Sequence, residues 1–455
     1  MKIIYITLEI KDRELLSKLF FISKNLNEKY IFFIGDKRAV LRAINTFGKG
    51  IYFYKSINKN DLEHISRIKK KGNIFVSLDE EGGYGLDKQF FSTHFLQLRS
   101  SQDNMNLIDR IFTWGNFDHK EWKKKYKNSS KKIKKTGSPK LDLWRKEVFM
   151  KIFKNEIDDL NRKYSPFFLI PSTFYSSREN YKLAVNIDKK LSKDDTLISL
   201  KKRLTAKKYE RYLFFKFVNL IKKLSYDFPN HKIIVKPHTL ENIDDWRKIF
   251  KRDEYKNIII DNNYNLTAYI AASECVIFNS STSGMQSVAM GKKTLAYGNN
   301  KNSSFRNFSN LCATQVSNYK ELKKRIRDKT NIENKKNIRK IKSRLHFGKQ
   351  TNSELIMKNI KIISNKNLEN VNLKSFKLNF IIFGYFLIDN LSLILKFFKE
   401  LIYGKKASYY QGYSIKMRGG IFKNEIIDFF KKLNLHKKVK IRSFGRNGFI
   451  ISKYH

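Results

Sequence analysis

The stretch Pro166-Phe167-Phe168-Leu169-Ile170-Pro171 decides the fold. Four apolar residues held between two prolines predict a short buried strand with fixed ends, because proline interrupts a hydrogen-bonded run. The same chemistry recurs downstream. Lys232-Ile233-Ile234-Val235, Ile258-Ile259-Ile260, Cys275-Val276-Ile277-Phe278 and Thr294-Leu295-Ala296-Tyr297 each predict a further strand. Helical spacing fills the gaps over Leu213 to Leu224, Leu266 to Ala272 and Gly284 to Met290. The first ~140 residues repeat the pattern independently, a span of about one domain. There Ile3 to Leu8, Tyr30 to Ile34, Ile51 to Tyr54 and Asn73 to Ser77 predict strands. Leu15, Leu16, Leu19, Phe20 and Ile22 share helical spacing, as do Leu62, Ile65 and Ile68, and a further helix is predicted over Ala39 to Thr46. Continuous apolar strands alternating with helices predict parallel sheets covered on both faces.

The expected fold class is therefore α/β, with two Rossmann-like domains facing a cleft. Thr136-Gly137-Ser138-Pro139 marks the break between them, and all five prolines lie at or after it, at positions 139, 166, 171, 229 and 237. The expected domains are 1-145, 146-345 and a basic α+β appendix, 346-455. Helical patterning runs through Asn331 to Ile363, an apolar region with basic flanks through 376–403, and Val439 to Ser452 predicts a hairpin. Its expected turn is Asn447-Gly448, a pair that accepts positive φ at both positions.

Composition narrows the function. The chain has 455 residues, with Lys+Arg 93 against Asp+Glu 42 and a net charge of +51. A hydrophobic content of 41% excludes a disordered basic tail. Two cysteines, Cys275 and Cys312, exclude a disulfide scaffold or a Cys-rich zinc module and fit a reducing compartment. The run Ile3 to Leu8 is cut by Glu9, Lys11 and Asp12, too short for an export signal of about 7–15 apolar residues. Phe380 to Phe398 is interrupted by Asp389, Asn390 and Lys396, so it falls short of a transmembrane span of about 20 residues. A cytoplasmic protein is expected. Its charge suits polyanions: nucleic acid, anionic lipid headgroups or phosphorylated substrates. Lysine spread over solvated surfaces is the plainer reading. Without an RNP motif or zinc finger, nucleic acid is not an expected partner. Peripheral attachment to the inner face of the plasma membrane is expected, since each lysine near an anionic leaflet adds ~1 kcal/mol.

Ligands of open α/β sheets bind outside the carboxyl ends of strands, and four candidate sites lie there. Asp79, Glu80 and Glu81 follow the fourth strand. Three adjacent acids repel one another, which raises the proton affinity of at least one and suits acid/base work. Gly82 and Gly83 let the backbone turn sharply. Lys236-Pro237-His238-Thr239 holds two phosphate donors, Lys236 and His238, at a strand's mouth, with Pro237 restricting the turn. Asn279-Ser280-Ser281-Thr282-Ser283-Gly284 places four hydroxyls where one would suffice for an N-cap, which predicts an anion site. Ser172 and Thr173, with Ser176 and Ser177 beyond, would add hydroxyls to the same ligand. No G-x-G-x-x-G, P-loop or H-E-x-x-H pattern occurs, so no metal and no bound cofactor are expected. His119 is expected to be structural or to line an interface.

Together these residues resemble bacterial surface-carbohydrate biosynthesis proteins of the GT-B glycosyltransferase type, over about residues 1–345. The resemblance rests on Glu9 and Arg13-Glu14, the acid-acid-Gly loop, Trp114-Gly115 with His119-Lys120-Glu121, and Thr136-Gly137-Ser138-Pro139 with Asp142. It extends to the Lys-Pro-His turn and to the Ser/Thr loop leading to Gly291-Lys292-Lys293; Thr239 departs from it, where many relatives carry proline. The order of these motifs is similar to that of bacterial sialyltransferases and Kdo transferases. That implies transfer of an acidic nonulosonate or Kdo-like sugar from a CMP-activated co-substrate to a glycan or lipid-linked glycan of a capsule, lipopolysaccharide or O-antigen. It also implies that Glu80 or Glu81 handles the acceptor proton while His238, Ser281 and Thr282 hold the CMP phosphate. Should transfer proceed by double displacement, Asp79 joins the two glutamates as candidate nucleophile. The second half is similar to CDP-glycerol glycerophosphotransferases as well, which makes glycerophosphate transfer the alternative reaction. A non-catalytic basic protein binding nucleic acid or membrane is the alternative of another class.

Overall fold

The computed structural model describes every residue except 84–95, 175–196, 240, 252–254, 299–307, 329, 331, 365–367, 369, 372–375, 404–415, 418 and 455. Ser176 and Ser177 lie outside the described residues. The chain divides into two compact units, Met1–Ile152 with Lys342–His455, and Phe153–Ile341.

In the first unit the apolar runs form β1 (Lys2–Leu8), β2 (Tyr30–Asp36), β3 (Ile51–Tyr54) and β4 (Ile74–Leu78). They are followed by β5 (Arg110–Thr113) and β6 (Ile133–Lys135). The parallel strands lie in the order β2-β1-β3-β4-β5-β6. The order reverses between β1 and β3, the topological switch point of a flavodoxin-like doubly wound sheet. Strand residues such as Ile4, Phe32, Phe53 and Phe75 are fully buried, each contributing roughly 1.5–3 kcal/mol.

The C-terminal residues correct an expectation. They do not form a separate appendix, because β13 (Val439–Phe444) and β14 (Gly448–Lys453) join the first sheet. β14 runs antiparallel to β2, pairing Phe449 with Ile34 and Ile451 with Phe32. The hairpin is real but its turn is not Asn447-Gly448. Gly448 already pairs with Phe444, leaving Gly445-Arg446-Asn447 as the loop, and the left-handed residue is Gly445 at φ 63. Asn447 serves as a brace instead. Its amide donates to Asp36 at 3.0 Å and accepts from the Ile421 N–H at 3.1 Å.

The second unit contains β7 (Phe167–Pro171), β8 (Lys232–Lys236), β9 (Ile258–Ile260), β10 (Cys275–Phe278), β11 (Lys293–Tyr297) and β12 (Thr314–Val316). All neighbours are parallel, in the order β9-β8-β7-β10-β11-β12. Counted within the unit that is 3-2-1-4-5-6, the Rossmann order, with its switch point between β7 and β10. The stretch that opened the sequence argument is thus the central strand, and Phe167 to Ile170 are all fully buried. The helix expected over Leu213 to Leu224 is part of a longer one, Leu197–Asp227. Phe217, Leu220, Ile221 and Leu224 pack into the core because they recur on one face.

Both units are therefore Rossmann-like α/β bodies, the class expected from the strand pattern.

Candidate functional site

Beyond β4 the chain turns into Asp79-Glu80-Glu81-Gly82-Gly83. The Trp114 indole N–H donates to the Asp79 carbonyl at 2.7 Å and seals the turn. A Cβ on Gly82 would lie 1.9 Å from Trp114 Cδ1, so no larger residue fits without moving the indole. Gly83 has φ +75, and its N–H donates to Asp118 Oδ2 at 3.1 Å. Burial pushes the Asp118 carboxyl up to about 6, against the pull of Arg344.

Mutual repulsion is not the main influence on Asp79 or Glu81, and each of the three acids has a cation beside it. Arg99 grips Asp79 with two hydrogen bonds, Nε to Oδ2 at 2.8 Å and Nη2 to Oδ1 at 3.0 Å. Glu81 pairs with Arg99 at 3.0 Å and Arg13 at 3.3 Å. Glu80 lies 2.5 Å from the Lys18 ammonium, and their side chains are 7% and 1% exposed. Burial raises the Asp79 carboxyl while the Arg99 hydrogen bonds oppose it, and Glu81 is only a minor contributor. Burial also acts upward on Glu81, but Arg99 and Arg13 outweigh it and hold that carboxyl below its ordinary range.

Another raised carboxyl is Glu14, on the first turn of the helix Lys11–Asn25 that follows β1. It accepts the N–H groups of Glu9 at 2.9 Å and Ile10 at 3.3 Å. Burial, then the nearby Glu80 charge, pushes it up to about 8. Burial and then Arg13 pull the Lys140 ammonium down to about 8, against Glu80 and Glu14. At the switch point Glu9, just past β1, pairs with Lys55, just past β3, and with Lys416 at 2.9 Å. Lys18, Arg99 and Lys140 escaped sequence reasoning, and Glu14 entered it only through the resemblance. A signal existed for Lys18: a charge inside the apolar run Leu15 to Ile22, one helical turn after Glu14. One quoted motif has structural work instead. Asp142 accepts the Asn352 and Ser353 N–H groups at 2.9 Å each, capping the helix Asn352–Ser364. His119 is half-buried, and burial with Lys123, Lys135 and Lys134 pulls its imidazole down to about 4.

In the second unit the three candidate loops follow β8, β7 and β10, adjacent strands that straddle the switch point. Past β7 the Ser172 hydroxyl donates to Glu241, 2.6 Å from Oε2. Glu241 also accepts from the Phe174 N–H at 2.6 Å and the Trp246 indole at 2.7 Å. Its own N–H donates to the His238 carbonyl at 2.8 Å. Glu241 thus ties the Ser172 loop to the Lys-Pro-His turn, a role sequence reasoning missed. Ser172 is consumed as a framework contact, while Thr173 and His238 are half-buried. Lys236 hydrogen-bonds the Asn262 side chain and lies 5.1 Å from the Tyr269 ring centroid. Pro237 is buried.

The loop after β10 spends most of its polar groups on itself. Asn279 donates to the Tyr297 carbonyl at 2.6 Å and accepts the Ser280 hydroxyl at 2.7 Å. Ser280 sits at φ 54, held there by Asn310, which accepts its N–H at 2.9 Å. Ser281 is the N-cap of the helix Thr282–Ala289, accepting from the Ser283 N–H at 3.2 Å and its hydroxyl at 2.8 Å. Gly284 packs where a Cβ would lie 2.1 Å from Phe278 Cζ. Of the four hydroxyls, Thr282 is the exposed one, beside the first-turn N–H groups of the helix. Such a terminus suits an anion. Among the described residues no three His, Cys, Asp or Glu side chains come together as a metal-ligand set.

No family profile matches the chain, and no curated protein matches its sequence. Solved structures resemble it distantly. The UDP-GlcNAc 2-epimerase of Neisseria meningitidis, bound to UDP-GlcNAc, gives a TM-score of 0.49 at 9% identity, covering 80% of this chain and 100% of that one. The S. aureus MnaA–UDP structure gives 0.49 at 12%, covering 80% and 97%. The wall teichoic acid polymerase TagF, soaked with CDPG, gives 0.47 at 11%, covering 80% and 89%. At this distance no activity transfers, and the fold stands on the strand orders of the two sheets.

Proposed function

We propose that the chain is a glycosyltransferase that moves a sugar from a nucleotide-activated donor to a growing surface glycan. The observation that carries this reading is the convergence of three polar loops on the carboxyl ends of β8, β7 and β10, across the Rossmann switch point of the second unit. Transfer from such a donor needs hydrogen-bond donors on the departing phosphate as its charge grows. Lys236, His238, Thr282 and the first-turn N–H groups take that role. Asn279, Ser172, Ser281 and Ser283 hold the loops in shape, and Asn262 braces Lys236. Within the first unit, Glu81 is the acid of the loop after β4 most open to a proton-exchanging group, since its side chain is 49% exposed while Asp79 and Glu80 are buried. A CMP-activated acidic sugar is the donor implied by the resemblance, and a chain of charge +51 suits it.

The test is a panel of CMP-, CDP- and UDP-linked donors, read by nucleotide release and by thermal stabilisation. A cognate donor at about 100 times its dissociation constant stabilises by ~2.7 kcal/mol. Release of CMP from a CMP-sugar, lost in His238→Ala, is the expected result. Turnover of CDP-glycerol alone would move the reaction to glycerophosphate transfer. Silence from every donor would overturn the enzyme reading.

A further inference from the structure

The helix Phe376–Tyr403 has 28 residues, about 42 Å at 1.5 Å per residue. One face is fastened to the first unit. Ile382 and Tyr385 pack on its core, with the Tyr385 ring 5.3 Å from Phe444. Asp389 accepts from Arg42 at 2.6 Å and from the Arg446 N–H at 2.9 Å. The acid that interrupts this apolar run in sequence therefore turns toward the protein. The outward face carries Phe380, Phe383, Leu387, Leu391, Ile394 and Leu395 at three- and four-residue spacing, between 46% and 68% exposed. A contiguous apolar ridge of this kind marks an interaction surface.

Charge selects the partner. β13, the edge strand against which this helix packs, is flanked by exposed Lys437 and Lys438 and carries exposed Lys440. A second copy of the chain would bring the same positive rim against itself, whereas an anionic lipid surface is complementary to it. No helix among the described residues is long and apolar enough to cross a membrane. We propose that the helix Phe376–Tyr403 lies in the plane of an anionic bilayer surface, its ridge among the acyl chains and its basic rim on the headgroups.

Full-length protein is co-sedimented with phosphatidylcholine vesicles with and without phosphatidylglycerol, and its mass is measured in solution. Binding should require phosphatidylglycerol. The exposed-face variant Phe383→Ser/Leu387→Ser/Leu391→Ser should keep the wild-type melting temperature and lose binding at least about tenfold. Lys437→Gln, Lys438→Gln and Lys440→Gln should each weaken it about fivefold. Equal binding to both vesicle types, unchanged binding by the ridge variant, or a wild-type dimer that this variant splits without any vesicle binding would each overturn the proposal.

Discussion

Gly82 presses on Trp114 just past β4, and Gly284 presses on Phe278 just past β10. Both units thus shape a loop at a strand's carboxyl end by backing a glycine onto an aromatic ring. The chemistry around the two loops is opposite. In the first unit the loop is held by charge, each acid matched by Lys18, Arg99 or Arg13. In the second it is held by neutral hydroxyl and amide bonds within the loop and to Tyr297 and Asn310. The difference decides what each loop has left to offer. A charge-balanced loop offers its most exposed carboxylate, Glu81, and resists change. A self-satisfied neutral loop leaves a helix N-terminus and one exposed hydroxyl for an anion.

Three substitutions probe that contrast, from the largest expected effect to the smallest. Lys18→Ala leaves Glu80 buried and unpaired near Glu14, which should cost about 3–5 kcal/mol in a urea unfolding titration. A loss under about 1 kcal/mol would place that pair with ordinary surface ion pairs. Glu14→Gln should change how stability depends on pH. Burial raises the folded Glu14 carboxyl from 4.5 to about 8, so in that interval the folded state holds the extra proton. Stability then falls as the pH rises from about 4.5 through about 8. The glutamine variant should show a shallower fall, and an unchanged slope would remove Glu14 from the cluster's titration. Ser281→Ala in the neutral loop should cost only ~1 kcal/mol, the worth of one N-cap. If it costs as much as Lys18→Ala, the contrast between the loops is wrong.

The strands with unbroken apolar runs, β1 to β4 and β7 to β11, were legible in the sequence because burial on both faces leaves no polar alternation to hide them. β5, β6 and β12 were not, being three or four residues long with charged or polar members such as Arg110, Lys134 and Gln315. The hairpin was legible but its partner was not, since no local signal says that β14 will pair with β2. The same limit governs the sites. Loops after strands could be read as polar and hydroxyl-rich. Their partners could not, because Arg99 reaches Asp79 across 20 positions and Glu241 reaches Ser172 across 69. Asp142 shows the converse: a quoted acid proved to be a helix cap 210 positions from its partner.

The central claim is that the loops after β7, β8 and β10 hold the phosphate of a nucleotide. Backbone hydrogen exchange of the full-length protein, with and without saturating CMP, tests it most directly. The account predicts slowed exchange in residues 171–173, 236–239 and 279–284, abolished together by His238→Ala with Thr282→Ala. Saturable CMP binding that protects other segments and leaves these three unchanged would contradict it.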